Sequence, residues 1–386
     1  MYREYERLLT APKQSFFLFG LRGVGKSTWA IANFPNATRI DLLDQSLYTT
    51  YLTAPDRFAD RLRAMDNGAW VIIDEIQRLP GLLNEVHRFI EGKRLRFVLL
   101  GSSARKLRHA GVNLLAGRAL KKSMYPLLPE ELGRDFSIET ALRFGSLPIV
   151  RASESPAETL LAYSEMYLRE EIQAEAQVRN LAGFARFLPI AALFQGQTLN
   201  VAGLARDAGV QRTTVHGYLE ILEDTLVAYR IPGYEARLRV KERKHPKLYW
   251  NDLGVLRAVK RQLGEPAQEE LGPLFEGWIA NYLRAHHELG TIPYEDIFYW
   301  APAQGRTEVD FLLRFGKRFI AIEVKAATRY SDASLAGLRA IGDLAGLRRR
   351  ILVYLGRTSG LTQDGIEILP LADFISAAQG AFGVAG

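Results

Sequence analysis

The chain has 386 residues, 48% of them hydrophobic and 24% charged, with a formal net charge of +7 and a pI near 9.4. It is too long for one core, so two or three domains are expected. The absence of cysteine excludes a disulfide framework and a thiolate metal site, and suits a cytoplasmic protein. Met1–Arg7 is charged and lacks the apolar core of a signal peptide. No apolar run approaches the ~20 residues of a membrane span, so no membrane partner is expected. The basic balance admits a polyanionic partner.

Residues 3–10 read as a short amphipathic helix and Phe16–Phe19 as a buried strand. Then comes Gly20-Leu21-Arg22-Gly23-Val24-Gly25-Lys26-Ser27, which fits the phosphate-loop pattern G-x-x-x-x-G-K-[ST] at each fixed position. A helix follows from Ser27-Thr28, completing the strand–loop–helix context the pattern needs. The glycines let the backbone curl so that N–H groups face an anion, and the helix N-terminus adds partial positive charge. Lys26 is assigned to the β/γ-phosphates and the Ser27 hydroxyl to Mg²⁺. Gly20, Arg22, Gly23, Val24, Gly25 and Thr28 complete the cradle for ATP. Arg22 can touch phosphate or pair with an acid.

Asn33–Asn36 ends the helix, Thr38–Leu42 is a second strand, and residues 55–66 are helical. Trp70-Val71-Ile72-Ile73-Asp74-Glu75 is an apolar strand that ends in two acids. About 50 residues beyond a phosphate loop, Asp74 is expected to hold the Mg²⁺ shell and Glu75 to orient and deprotonate the attacking water. Leu82–Ile90 is an amphipathic helix. Arg96–Leu100 is a core strand running into Gly101-Ser102-Ser103. Ser102, with Ser103 second, is placed to reach the γ-phosphate or the water, with a helix N-cap as the other reading. Arg118, in Leu115-Ala116-Gly117-Arg118, is either an arginine finger acting in a neighbouring copy or a locally paired structural arginine.

Gly20–Ser27, Trp70–Glu75, Leu100–Ser103 and Leu115–Arg118, followed by Tyr125-Pro126-Leu127, resemble a family of prokaryotic ATPases. Its members join an AAA-type P-loop domain to a DUF4143 region. The resemblance implies a parallel sheet with helices on both faces and nucleotide at the carboxyl ends of the strands.

Residues 126–182 read as a helical lid or linker broken at Gly145–Pro148, with Tyr167–Ile172 in a long helix. Residues 199–222 place a helix, a tight turn at Ala208-Gly209-Val210 and a second helix before the strand Leu226–Ile231. This is the pattern of a winged helix-turn-helix. Gln211, Arg212, Thr213, Thr214 and His216 would face DNA, or the fold would serve packing alone. Glu235–Arg261 then holds nine basic residues (Arg237, Arg239, Lys241, Arg243, Lys244, Lys247, Arg257, Lys260, Arg261) against three acids. It reads as a solvated loop or as a surface for a phosphate backbone. Within it, Lys247–Gly254 resembles a recurrent family element, and Lys247 and Asp252 are expected to pair.

Leu271, Leu274, Phe275, Trp278, Ile279, Tyr282 and Leu283 form one apolar helix stripe, with Glu276 beside it. The strands Ile297–Trp300, Thr307–Leu313 and Arg318–Lys325 follow. The period of two sets Glu308 and Asp310 opposite Val309, Phe311 and Leu313, and groups Glu323 with Lys325. A helix over 332–345 and a strand over Arg350–Tyr354 come next, and Gly380–Gly386 is expected to fray. This order resembles the PD-(D/E)xK nuclease core, with Val309 where a proline often stands. Asp310 and Glu323 would be its metal ligands, Lys325 would assist the general base, and Glu276 would be an extra ligand, with Glu308 able to contribute.

The fold class expected is α/β. A P-loop NTPase of AAA type (1–125) is followed by a helical lid (126–182), a winged helix-turn-helix (183–233) and a restriction-endonuclease-like domain (234–386). The expected activity is ATP hydrolysis with Mg²⁺, acting on or with DNA, in a chain able to form homo-oligomers. The other reading is a nucleotide-dependent switch, or a regulator of transcription or protein contacts, with an inactive nuclease-like fold.

Overall fold

The computed structural model describes residues 5–103, 115, 117–167, 181–235, 245–302 and 307–383. Two compact units interleave along the chain. Residues 1–135, 146–179 and 218–227 form the first, and 136–145, 180–217 and 228–386 the second.

The first unit is built on a five-stranded sheet of β1 (Phe16–Phe19), β2 (Thr38–Asp41), β3 (Trp70–Asp74), β4 (Arg96–Gly101) and β5 (Leu120–Ser123). The order is β2-β3-β4-β1-β5 and every pairing is parallel. β1 is buried at all four positions, as a strand covered on both faces must be. Phe17 and Phe19 point into a cluster with Phe58 of α3 (Asp56–Arg63) and Leu83 and Val86 of α4 (Leu82–Lys93). Phe16 points the other way, onto Trp29 of α1 (Lys26–Asn33), with Phe34 and Trp70 extending that aromatic layer. The helices therefore flank both faces, as expected.

Two details differ from the sequence reading. Residues 5–10 are not helical. Their polar groups are taken by distant partners instead: Leu8 N–H donates to Glu131 at 2.8 Å, and the Leu9 carbonyl accepts from Trp29 Nε1 at 3.2 Å. An additional helix, α2 (Gln45–Thr53), stands before α3. It is capped by Asp44, whose carboxylate accepts from the Ser46 and Leu47 amides. Residues 168–172 of the expected long helix lie outside the described residues.

The second unit carries two sheets. The smaller has the order β6-β8-β7, from β6 (Gln197–Thr198), β7 (Ala228–Ile231) and β8 (Lys247–Trp250), all antiparallel. Between β6 and β7 in the chain stand the helices Val201–Ala208 and Arg212–Asp224, the second of which passes into the first unit at residue 218. Asn200 caps the first, and Gly209 turns the chain at φ 64°, a left-handed conformation that suits glycine. The larger sheet is six-stranded, β13-β14-β12-β11-β10-β9. Its strands are β9 (Asp296–Trp300), β10 (Val309–Phe315), β11 (Arg318–Lys325), β12 (Leu347–Tyr354), β13 (Gly360–Leu361) and β14 (Ile366–Pro370). β9–β10–β11 is antiparallel, while β11–β12 and β12–β14 are parallel.

A register shift between Val309 and Leu312 breaks the alternation read from the sequence. Val309 and Leu312, not Val309 and Phe311, share one core cluster, and Phe311 packs against Tyr249 instead. The helix expected over 332–345 is shorter, Asp332–Leu335 followed by Ala336–Ala340. The tail is held through its described residues rather than frayed. Phe382 is buried against Phe374, and its carbonyl accepts from Arg349 Nη1 at 2.6 Å.

Candidate functional site

The phosphate loop joins the carboxyl end of β1 to α1. Gly23 and Gly25 sit at φ 75° and 94°, the left-handed region that a curled anion cradle uses. Lys26 is buried, and its ammonium donates to the loop's own carbonyls, Gly20 O at 2.7 Å and Leu21 O at 3.1 Å. Val24 is fully buried and Thr28 exposed. The loop is braced from outside by residues the sequence reading did not single out. Arg7 Nη1 donates to Val24 O at 2.8 Å, and the Tyr163 hydroxyl to Arg22 O at 3.1 Å. Nothing local in the sequence marks either contact, since each partner lies far along the chain.

The acids of β3 arrive beside this loop. The Ser27 hydroxyl donates to Asp74 Oδ2 at 2.5 Å. A hydroxyl and a carboxylate at one point are the two protein donors a nucleotide-bound Mg²⁺ needs, so these residues fit the ion. Burial raises the Asp74 carboxyl, against the Ser27 hydrogen bond and the Lys26 charge. Burial likewise raises Glu75, opposed by Lys26 and Arg22. Glu75 has φ 55°, a strained conformation of the kind found at functional positions.

Because β4 lies between β1 and β3, its tip falls between loop and acids. Ser102 is buried there and accepts from Gln77 Nε2 at 3.1 Å, and the same amide donates to Glu75. Gln77 therefore links the expected sensor to the expected base, a role the sequence reading missed. Its other amide atom, Oε1, is buried with no hydrogen-bond partner among the described residues.

Arg118 falls elsewhere. β5 runs parallel to β1 with Leu120 beside Phe16 and Ser123 beside Phe19, so Arg118 precedes the sheet end opposite the phosphate loop. It ion-pairs with Glu91 near the end of α4. That placement removes it from this chain's own phosphates. Exposed pairs contribute little, so Arg118→Ala is expected to leave ATP turnover within about twofold. A drop of about 10³-fold in phosphate release would instead show a finger acting in a second copy.

The second constellation lies in the other unit. Asp310 and Glu323 are buried on β10 and β11, and Glu276 reaches them from the Gln268–Glu288 helix. A side chain from β8 enters their midst. Lys247 Nζ lies 3.2 Å from Glu276, 3.0 Å from Glu308 and 3.6 Å from Asp310. Burial works against its charge, but the carboxylates of Glu276, Asp310 and Glu308 outweigh it and raise Lys247. Lys247 thus pairs with these acids rather than with Asp252, which caps the Leu253–Val259 helix.

The donors can be checked for a divalent ion. Glu276 Oε1 already accepts from the Tyr249 hydroxyl at 2.6 Å as well as from Lys247. Asp310 Oδ2 accepts from Val324 N–H at 2.8 Å, and Glu323 Oε1 from Lys325 at 2.5 Å. Glu323 Oε2 is buried without a hydrogen-bond partner among the described residues. Among the described residues no three His, Cys, Asp or Glu side chains are grouped to hold a metal. This donor set, with an ammonium at its centre, does not fit Mg²⁺.

Burial and the Asp310 charge push Glu323 up to about 8, and burial and Asp310 push Glu276 up to about 7. Burial pulls Lys325 down, but Glu323 and Asp310 hold it up. The raised Glu323 predicts a pH effect. The fold keeps a proton that the unfolded chain releases near 4.5, so the contribution of Glu323 to stability falls as pH rises from there to about 8 and is constant beyond. Glu323→Gln removes that loss. Its melting temperature should match wild type at pH 5 and exceed it at pH 9, and the opposite order at pH 9 would contradict the assignment.

The helix-turn-helix leaves Gln211, Arg212, Thr213 and His216 exposed and Thr214 half-buried. Four of the nine cations of the basic stretch lie within the described residues, and of these Arg261 is exposed. Lys247 and Arg257 are buried, and Arg257 and Lys260 both pair with Glu270. Arg237, Arg239, Lys241, Arg243 and Lys244 lie outside the described residues. Among the described residues no helix is long and apolar enough to cross a membrane.

Loop, acids and sheet order define a P-loop NTPase. The model of a family described as "AAA domain" matches residues 12–133, and a domain of unknown function, DUF4143, matches 271–374. Residues 135–267 match a further domain of unknown function, DUF8612. The chain therefore joins an AAA-type P-loop domain to a carboxyl-terminal DUF4143 region. It is similar to the uncharacterized protein Rv2008c of Mycobacterium tuberculosis, 27% identical over 376 residues, covering 94% of this chain and 79% of that protein. Among solved structures, the protein VC1899 from Vibrio cholerae is 14% identical, covering 96% of this chain and 99% of that one, with a TM-score of 0.24. A signal-transduction ATPase with a tetratricopeptide repeat sensor from Pyrococcus horikoshii is 15% identical, covering 74% and 48%, with a TM-score of 0.23.

Proposed function

We propose that this chain is a Mg²⁺-dependent ATP hydrolase that works with DNA. The observation that carries the reading is the convergence of Lys26, Ser27, Asp74 and Glu75 at the carboxyl ends of one parallel sheet. Lys26 exchanges the carbonyls of Gly20 and Leu21 for phosphate oxygens. Ser27 and Asp74 would hold Mg²⁺, which would supply charge neutralisation at the phosphates. Glu75 accepts the proton of the attacking water, and Gln77 fixes the Glu75 carboxylate against Ser102.

The DNA partner rests on the exposed polar start of the Arg212–Asp224 helix. ATP turnover measured with single-stranded, duplex and branched DNA tests it. Stimulation of several-fold that weakens with salt is expected, together with its loss in Arg212→Ala. Turnover indifferent to every DNA would favour the nucleotide-controlled switch. Lys247 among the nuclease-like acids favours a second unit that binds without cutting.

A further inference from the structure

The carboxylates of the nuclease-like sheet are held by a residue outside that sheet. β8 pairs with β7 and β6 in the winged-helix sheet, yet its first and third residues, Lys247 and Tyr249, both reach Glu276. Lys247 is 2% exposed, so its ammonium is not a solvated charge that happens to fall nearby. The Glu276 side chain is also confined from behind. A Cβ on Gly196 would stand 3.3 Å from Glu276 Oε2, at a position whose φ of 68° suits glycine. The sequence spacing is long: Lys247 precedes Glu276 by 29 residues and Glu308 by 61.

We propose that Lys247 is the resident cation of this carboxylate cluster. It stands where a divalent ion would bind and makes the site a metal-excluding joint between the wing strand and the nuclease-like sheet. A fixed monovalent ammonium gives Glu276, Glu308 and Asp310 their counter-charge, and a dication brought against it would meet like-charge repulsion in a poorly solvated place. The cluster then ties β8 to β10 and to the Gln268–Glu288 helix, and it has no ion with which to activate water. The inference rests on reading β10 and β11 as a nuclease-like core, and its test separates the two.

Mn²⁺ binding is measured by electron paramagnetic resonance without nucleotide. The full chain carries Asp74→Asn throughout, so that the nucleotide site does not contribute. The chain with Lys247 intact is expected to show the same Mn²⁺ titration with and without Asp310→Asn. A bound Mn²⁺ that Asp310→Asn removes would overturn the proposal while leaving the nuclease-like reading in place. Lys247→Met is expected to gain one Mn²⁺, lost again in Lys247→Met/Asp310→Asn. A folded Lys247→Met chain that gains none would overturn both the proposal and the nuclease-like reading. If Lys247→Met does not fold, the comparison of intact Lys247 with and without Asp310→Asn still decides.

Discussion

Replacing Lys26 with alanine is expected to abolish ATP turnover while the chain stays folded. The side chain contributes one positive charge where the β- and γ-phosphates gather negative charge, and losing such a preorganised group costs about 10²–10³ in kcat. Its removal opens little of the core. The ammonium donates to Gly20 O and Leu21 O, carbonyls of the loop itself. Phosphate release and a thermal melt on the same preparation check this, and an unchanged rate in a folded variant would defeat the assignment of the loop.

Glu75→Gln is expected to separate binding from chemistry. Glutamine keeps the size of the side chain and can still meet Gln77, but it cannot take a proton from water. The rate should fall by about 10²–10⁴, the usual contribution of a positioned base, while ATP affinity is held or strengthened. Equilibrium dialysis with labelled ATP alongside single-turnover hydrolysis reads the two quantities apart. Loss of both together would mean that Glu75, at φ 55°, maintains the shape of the site rather than performing its chemistry.

What was legible in advance follows from the range of the interactions. The phosphate loop is a local object. Its glycines, lysine and serine act through backbone geometry within eight consecutive residues, so Gly20–Ser27 could be placed without a fold. The same holds for the run of apolar residues that delivers Asp74 and Glu75 to a strand tip, and for Gly209 between two helices. Contacts that cross the topology were not legible. Gln77 reaches Ser102 only because β4 is inserted between β1 and β3. Arg7 meets Val24 only because a segment read as helix is not helical and is bonded elsewhere.

The second unit gives the sharpest contrast. Asp310, Glu323 and Lys325 were readable from the period of two, and they do come together. Lys247, which pairs with Glu276, Glu308 and Asp310, read as one cation of a basic stretch and as a partner for Asp252, because nothing in its neighbourhood points to Glu276. The register shift between Val309 and Leu312 is equally silent, since an irregular strand and a regular one can share one pattern of apolar residues.

The most direct test is a single-turnover experiment with γ-labelled ATP and Mg²⁺, run on wild type and on the Lys26→Ala chain at equal concentrations. Wild type should bind the nucleotide and release one labelled phosphate per site, and the variant should release none on the same timescale. Wild type that fails to bind MgATP, or equal release from both chains, would place nucleotide chemistry away from Gly20–Ser27 and contradict the account at its root.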